Sequence, residues 1–290
     1  MAEEINRLLD EYRNGTITRR QFIQQVIVLT GGLAAATSLI DSLFSTSAHA
    51  AQVDPHDSSL ASSDVKYTAE DGASIAAYLS RPKGDGKLPA VIVIHENRGI
   101  NDHIRDVARR LAKAGYVALA PDLLSRQGGT ASFPTSDAAT EGIRKLDEDL
   151  IMKDLARAAN FLKSQSFVRP KIGVTGFCWG GGRALLFTTR SKDLAASVIY
   201  YGSNPRDLED VKNVTAAILG HYGGADERIT SGVPKLEEAM KKYGKSFEYK
   251  IYAGAPHSFN NDTNDRSYRA EAAKEAWGRT LEFFKKHLQS

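Results

Sequence analysis

Lys171-Ile172-Gly173-Val174-Thr175, continued by Gly176-Phe177-Cys178-Trp179-Gly180-Gly181-Gly182, is the stretch that decides the fold. The first five residues suit a strand buried on both faces, and helical spacing begins near Gly180. Between strand and helix stands a nucleophilic side chain flanked by glycines, the G-x-nucleophile-x-G turn with Cys in place of Ser. A strand-to-helix turn this tight leaves no room for side chains on its flanks, hence the glycines. The turn also sets Cys178 at a helix N-terminus, where unpaired N–H groups and the helix dipole favour a thiolate. The Trp179 N–H then points to where an oxyanion would develop, a stabilisation of roughly 3 kcal/mol per donor.

Working outward, strands are expected at Ser74–Ser80 (an edge strand, because Pro82 follows), Pro89–His95, Tyr116–Ala120, Lys171–Thr175, Ala195–Tyr201, Ala216–His221 and Phe247–Tyr252. Helices are expected at Asp102–Ala114, over 137–165, from about Gly180, at Val233–Tyr243 and near 266–287, with Gln127–Ser136 a surface loop. Regular strand–helix alternation implies an α/β domain with a mostly parallel central sheet and helices on both faces. One such domain fills 64–290, and the small, polar residues 51–63 before it suit a linker.

A nucleophile of this kind needs an acid and a base downstream, in that order. Asp226, with Glu227 beside it as the alternative acid, follows the strand Ala216–His221 in a Gly-containing loop, and His257 follows the last strand in Gly254-Ala255-Pro256-His257-Ser258-Phe259. The carboxylate would hold the imidazole in the right tautomer and stabilise its charged form. His221 precedes the acid, which inverts the order, and His103 and His287 are expected on helix surfaces. His95-Glu96 lacks the second His of an H-E-x-x-H helix because Gly99 stands there, so no metal site is expected, and no cofactor.

The 290 residues carry a net charge of +3, with 42% apolar and 25% charged side chains, an ordinary globular composition with no dense Lys/Arg run to suggest nucleic acid. The single cysteine excludes an intramolecular disulfide and a Cys-based zinc cluster. Residues 1–50 differ in character: Arg19-Arg20 precedes an apolar run from Val26 to Ile40, and a short tail ends Ala48-His49-Ala50. Those are the marks of a signal peptide of the twin-arginine type, with the twin-arginine export machinery as its partner, cleavage before Ala51 and a periplasmic destination.

Gly-Phe-Cys-Trp-Gly-Gly with Asp226 and His257 resembles the dienelactone hydrolase (carboxymethylenebutenolidase) family of the α/β-hydrolase superfamily. The resemblance covers roughly 65–288 and includes His95-Glu96-Asn97-Arg98-Gly99 and Ala120-Pro121-Asp122-Leu123. It implies a Cys178–Asp226–His257 triad, a Glu96 that helps form the thiolate, and the Asn97 N–H as second oxyanion donor beside Trp179. It also implies substrate-binding arginines; Arg98 and Arg144 are candidates, with Arg126 in the same stretch as Arg144. The family's lactone-cleaving members carry one such arginine shortly after His-Ser-Phe, where this chain has Asn260-Asn261-Asp262. Phe259 and Phe133 would join Trp179 in a partly aromatic pocket.

The expected activity is hydrolysis of a small-molecule ester or lactone by a monomer or homodimer. Two alternatives stay open: an exported binding protein that captures a carbonyl compound with little turnover, and a thiol redox protein using Cys178.

Overall fold

The computed structural model describes residues 51–289 together with 4, 5, 7, 8, 11, 17, 19–32 and 36. The chain divides into two compact units, Met1–Ala50 and Ala51–Ser290. In the first, helix α1 (Arg19–Thr30) contains the paired arginines, and Leu8, Phe22, Val26 and Ala36 pack together. Ala48-His49-Ala50 lies outside the described residues. No helix among the described residues is long and apolar enough to cross a membrane.

The second unit is built on one eight-stranded sheet, in the order β1-β2-β4-β3-β5-β6-β7-β8. Its strands are β1 (Leu60–Thr68), β2 (Ser74–Pro82), β3 (Leu88–Ile94), β4 (Val117–Pro121), β5 (Val168–Phe177), β6 (Leu194–Tyr200), β7 (Ala217–Gly223) and β8 (Phe247–Tyr252). From β4 to β8 every pairing is parallel, whereas β1 and β2 join antiparallel. Both faces of the parallel part are buried, as the continuous apolar runs required. Along β3, Ala90, Ile92 and Ile94 enter one core and Val91 and Val93 the other.

On the Ile92 side lie α4 (Glu148–Ser164), α5 (Trp179–Arg190) and α7 (Val233–Lys242), through Leu155, Leu185 and Leu236. On the Val91 side lie α2 (Asp102–Lys113) and α8 (Ala270–Leu288), through Val107 and Phe284. Helix α3 (Ser136–Arg144) and the single turn α6 (Glu227–Thr230) sit in the loops before α4 and after β7. The helix expected over 137–165 is thus two. Asp147 accepts a hydrogen bond from the Leu150 N–H, and this N-cap starts α4 afresh three residues after α3 ends.

Two expectations near the start of this unit need correction. Residues 51–63 are not a free linker: Leu60–Ser63 pair with Leu79–Pro82 as the start of β1. Upstream, the N–H groups of Gln52 and Val53 donate to Asp106, and Arg109 Nε donates to the Val53 carbonyl. For the same reason β2 is an internal strand. Pro82 is tolerated because it stands at the strand's end, where a missing N–H breaks little of the ladder.

Candidate active site

The glycine-flanked turn forms between β5 and α5. Cys178 adopts φ 58° and ψ −118°, a conformation that costs an L-residue energy and persists only where its surroundings enforce it. Its N–H donates to the Tyr200 carbonyl on β6, and its carbonyl accepts from Gly181 N–H at 3.0 Å. The glycines are required by distance: a Cβ on Gly176 would stand 2.1 Å from Gly180 O, and one on Gly180 2.3 Å from His95 O.

The loops after β7 and β8 bring Asp226 and His257 to this turn. His257 Nδ1 donates to Asp226 Oδ2 at 2.5 Å, since a carboxylate only accepts. That tautomer leaves Nε2 with a lone pair, which faces Cys178 Sγ at 3.0 Å. Asp226 is buried and His257 half-buried. The Tyr201 ring meets the imidazole edge-on, with centroids 5.1 Å apart.

Burial pushes the Cys178 thiol up to about 11, and the Glu96 and Asp226 charges push the same way. The Trp179 backbone N–H and the Arg228 guanidinium oppose them without winning. Desolvation thus outweighs the helix terminus, and the resting group is a thiol rather than the thiolate that position alone suggests.

Glu96 is buried after β3, with Oε2 accepting from Asn261 Nδ2 at 2.8 Å. The Asn97 carbonyl accepts from Thr140 Oγ1 at 3.0 Å, which fixes this peptide. Among the described residues the Asn97 N–H has no acceptor, and the Trp179 N–H lies in the first helical turn, where none exists within the helix. His95 ties the region together: Nδ1 donates to the Glu96 carbonyl, Nε2 accepts from Leu123 N–H, and Trp179 stacks on its ring at 5.5 Å. Burial lowers its pKa, so it serves as a neutral brace.

The candidate substrate residues fare differently. Arg98 is exposed and makes no ion pair among the described residues. Arg144, 68% exposed, pairs with Glu141 one turn back on α3, a surface contact. Arg126 is committed to Asp71 and Asp154. Phe259 is fully buried against Tyr201 and Tyr252, so it is core beneath the His257 loop and not a pocket wall. Phe133 and Trp179 do share a half-buried apolar patch with Leu124, Ala139 and Ile143.

His103, expected on a surface, is buried and bonds Asp262 through Nδ1 at 3.1 Å. The sequence singles out neither Tyr201 nor Arg228, and it marks His95 and Asn261 only as parts of longer segments, without the contacts they make here. No group of three or more His, Cys, Asp or Glu suited to a metal occurs among the described residues.

A family model described as the dienelactone hydrolase family matches residues 75–288. A Methylorubrum extorquens protein assigned as a carboxymethylenebutenolidase is 35% identical over 242 residues, covering 79% of this chain and 82% of its own length. A Bradyrhizobium protein assigned as a 2-oxo-3-(5-oxofuran-2-ylidene)propanoate lactonase is 38% identical, covering 75% of this chain and 91% of its own. Among solved structures, a Klebsiella pneumoniae protein assigned as a dienelactone hydrolase superposes with TM-score 0.73 at 30% identity. That match covers 79% of this chain and 99% of the other.

Proposed function

This chain belongs to the dienelactone hydrolase family of α/β-fold hydrolases, and we propose that it opens a carboxylic ester or lactone through an acyl-enzyme on Cys178. The observation that carries the reading is the unbroken path from Asp226 Oδ2 through His257 to Cys178 Sγ. His257 Nε2 takes the thiol proton as Sγ attacks the carbonyl carbon. Because the resting thiol is held protonated, attack and proton transfer belong to one step. The developing oxyanion accepts from the N–H groups of Trp179 and Asn97. His257 returns its proton to the departing alkoxide, then draws one from water. The water oxygen displaces Sγ from the acyl carbon and the thiol is restored.

Asn260-Asn261-Asp262 in the stretch after His-Ser-Phe, where the family's lactone-cleaving members carry an arginine, argues for a substrate whose recognition does not rest on a carboxylate held there. Residues 1–50 we read as a twin-arginine leader that delivers residues 51–290 to the periplasm. N-terminal sequencing of protein from the periplasmic fraction should begin near Ala51; a full-length chain confined to the cytoplasm would refute the leader.

The test of the activity is a panel of esters and lactones, with and without a free carboxylate, assayed on wild type and Cys178→Ala. Turnover of at least one class by wild type and none by the variant is expected. Equal rates in both would overturn the proposal.

A further inference from the structure

His95, the first residue beyond β3, is fully buried and takes no part in the path from Asp226 through His257 to Cys178. Both its ring nitrogens are engaged, and the two partners demand one tautomer. A carbonyl oxygen only accepts, so Nδ1 donates to Glu96 O at 2.7 Å. An amide N–H only donates, so Nε2 accepts from Leu123 at 3.2 Å. A neutral imidazole bonded on both sides is poorly placed to move protons and well placed to hold a peptide.

The peptide it holds is the one that carries the Asn97 N–H. A trans peptide points its C=O and N–H in opposite directions, so fixing Glu96 O on His95 also fixes where the Asn97 N–H points. The carbonyl on the other side of Asn97 accepts from Thr140 Oγ1, on α3, at 3.0 Å. Side chains thus anchor both peptides that flank Asn97, while the N–H between them keeps no acceptor among the described residues.

The same histidine also reaches the neighbourhood of the other donor. Trp179 lies on the imidazole, with centroids 5.5 Å apart and planes 16° from parallel. The His95 carbonyl meets the next residue of α5, since a Cβ on Gly180 would fall 2.3 Å from it. Ring and backbone of one residue therefore set the spacing between the end of β3 and the first turn of α5.

We infer that His95, with Thr140 on the far side of Asn97, is a positioning residue for the oxyanion site. It aims the Asn97 N–H through the Glu96 carbonyl and seats the turn that carries the Trp179 N–H. The inference rests on the proposed oxyanion role of these two N–H groups.

Two probes of Cys178 separate this role from a merely structural one. With phenyl trifluoromethyl ketone, Sγ adds to the carbonyl carbon, the thiol proton passes to His257 Nε2, and the new C–O⁻ accepts from the oxyanion donors. Iodoacetamide alkylates the same thiol, the only one in the chain, by displacing iodide, and forms no oxyanion. His95→Gln keeps an acceptor for the Leu123 N–H and loses the Nδ1 donor, whereas His95→Asn keeps a donor at the δ position. Ketone affinity, kcat and kcat/KM should fall together by about 100-fold in His95→Gln, with KM within about twofold. His95→Asn should recover most of the loss, to within about tenfold of wild type. Thr140→Val, at the half-buried surface of α3, should lower ketone affinity by about fivefold. Alkylation by iodoacetamide, read by intact mass, should stay within about threefold of wild type in all three.

Ketone affinity within twofold of wild type in His95→Gln or Thr140→Val would overturn the inference. So would alkylation falling as far as ketone affinity, or His95→Asn as impaired as His95→Gln. A wild type that neither binds the ketone nor turns over any ester would instead overturn the proposed acyl chemistry, and the inference with it.

Discussion

Gly180→Ala puts a single methyl group where the fold has no space for it. The added Cβ would stand 2.3 Å from His95 O and 2.5 Å from Ile94 O. An ordinary carbon–oxygen contact is about 3.3 Å, so the overlap is close to ~1 Å. Both oxygens are backbone atoms at the end of β3, a strand paired on both sides, and neither turns away as a side chain would. The first turn of α5 must retreat instead, carrying the Trp179 N–H and Cys178 with it. Overpacking of this kind costs ~1–3 kcal/mol, which for a unit of this size lowers Tm by about 3–10 °C. A displacement near ~1 Å at the reacting atoms costs roughly 100-fold in kcat/KM. Calorimetry and aryl-ester kinetics on the same preparation read both effects. A Tm within about 1 °C of wild type with kcat/KM within about twofold would refute the close approach of α5 to β3 on which the site depends.

Asp226→Asn should keep the fold and lower kcat by on the order of 10³-fold or more, because the imidazole loses its tautomer control; a loss under about tenfold would remove Asp226 from the mechanism. Arg110 lies between the buried Asp106, at 2.6 Å, and Asp262, at 2.5 Å, so Arg110→Met removes the cation they share and leaves Asp106 to Arg109 and Asp262 to His103. A loss of ~3–5 kcal/mol in urea unfolding is expected, and a loss below ~1 kcal/mol would show the cluster to be hydrated. His221 is fully buried, bonded to Tyr252 and Thr280, and burial lowers its pKa to about 3. The unfolded chain therefore binds a proton below its ordinary value of about 6.5 that the folded chain refuses, so stability is full above that pH. It falls by up to ~1.4 kcal/mol per pH unit on acidification towards the folded value, and His221→Gln should flatten this part of the urea profile. An unchanged slope would mean that other groups carry it.

The turn around Cys178 was legible because strand, glycines and helix constrain one another over a dozen contiguous residues. Asp226 and His257 were legible because the fold orders nucleophile, acid and base along the chain. Contacts that close only in three dimensions were not. β1 reads as polar linker because Ser62, Ser63 and Asp64 mask its alternation, and pairing with β2 supplies its stability. Gln52 and Val53 become structured only through Asp106, Arg109 and Asp262, residues distant in sequence. Phe259 follows the base closely enough to suggest a pocket wall, yet its ring turns inward onto Tyr201 and Tyr252. Tyr201 itself looks like the last residue of an apolar strand; only its positive φ and stranded hydroxyl mark it out.

The most direct measurement is to mix wild-type protein with a slowly deacylating aryl ester, quench in acid within the first turnover, and map the peptides by mass. Covalent catalysis predicts one acyl group per chain, carried on the peptide containing Cys178. It should appear as the phenol is released and vanish as the carboxylic acid forms. Steady-state hydrolysis with Cys178 never acylated, or persisting in Cys178→Ala, would contradict the account.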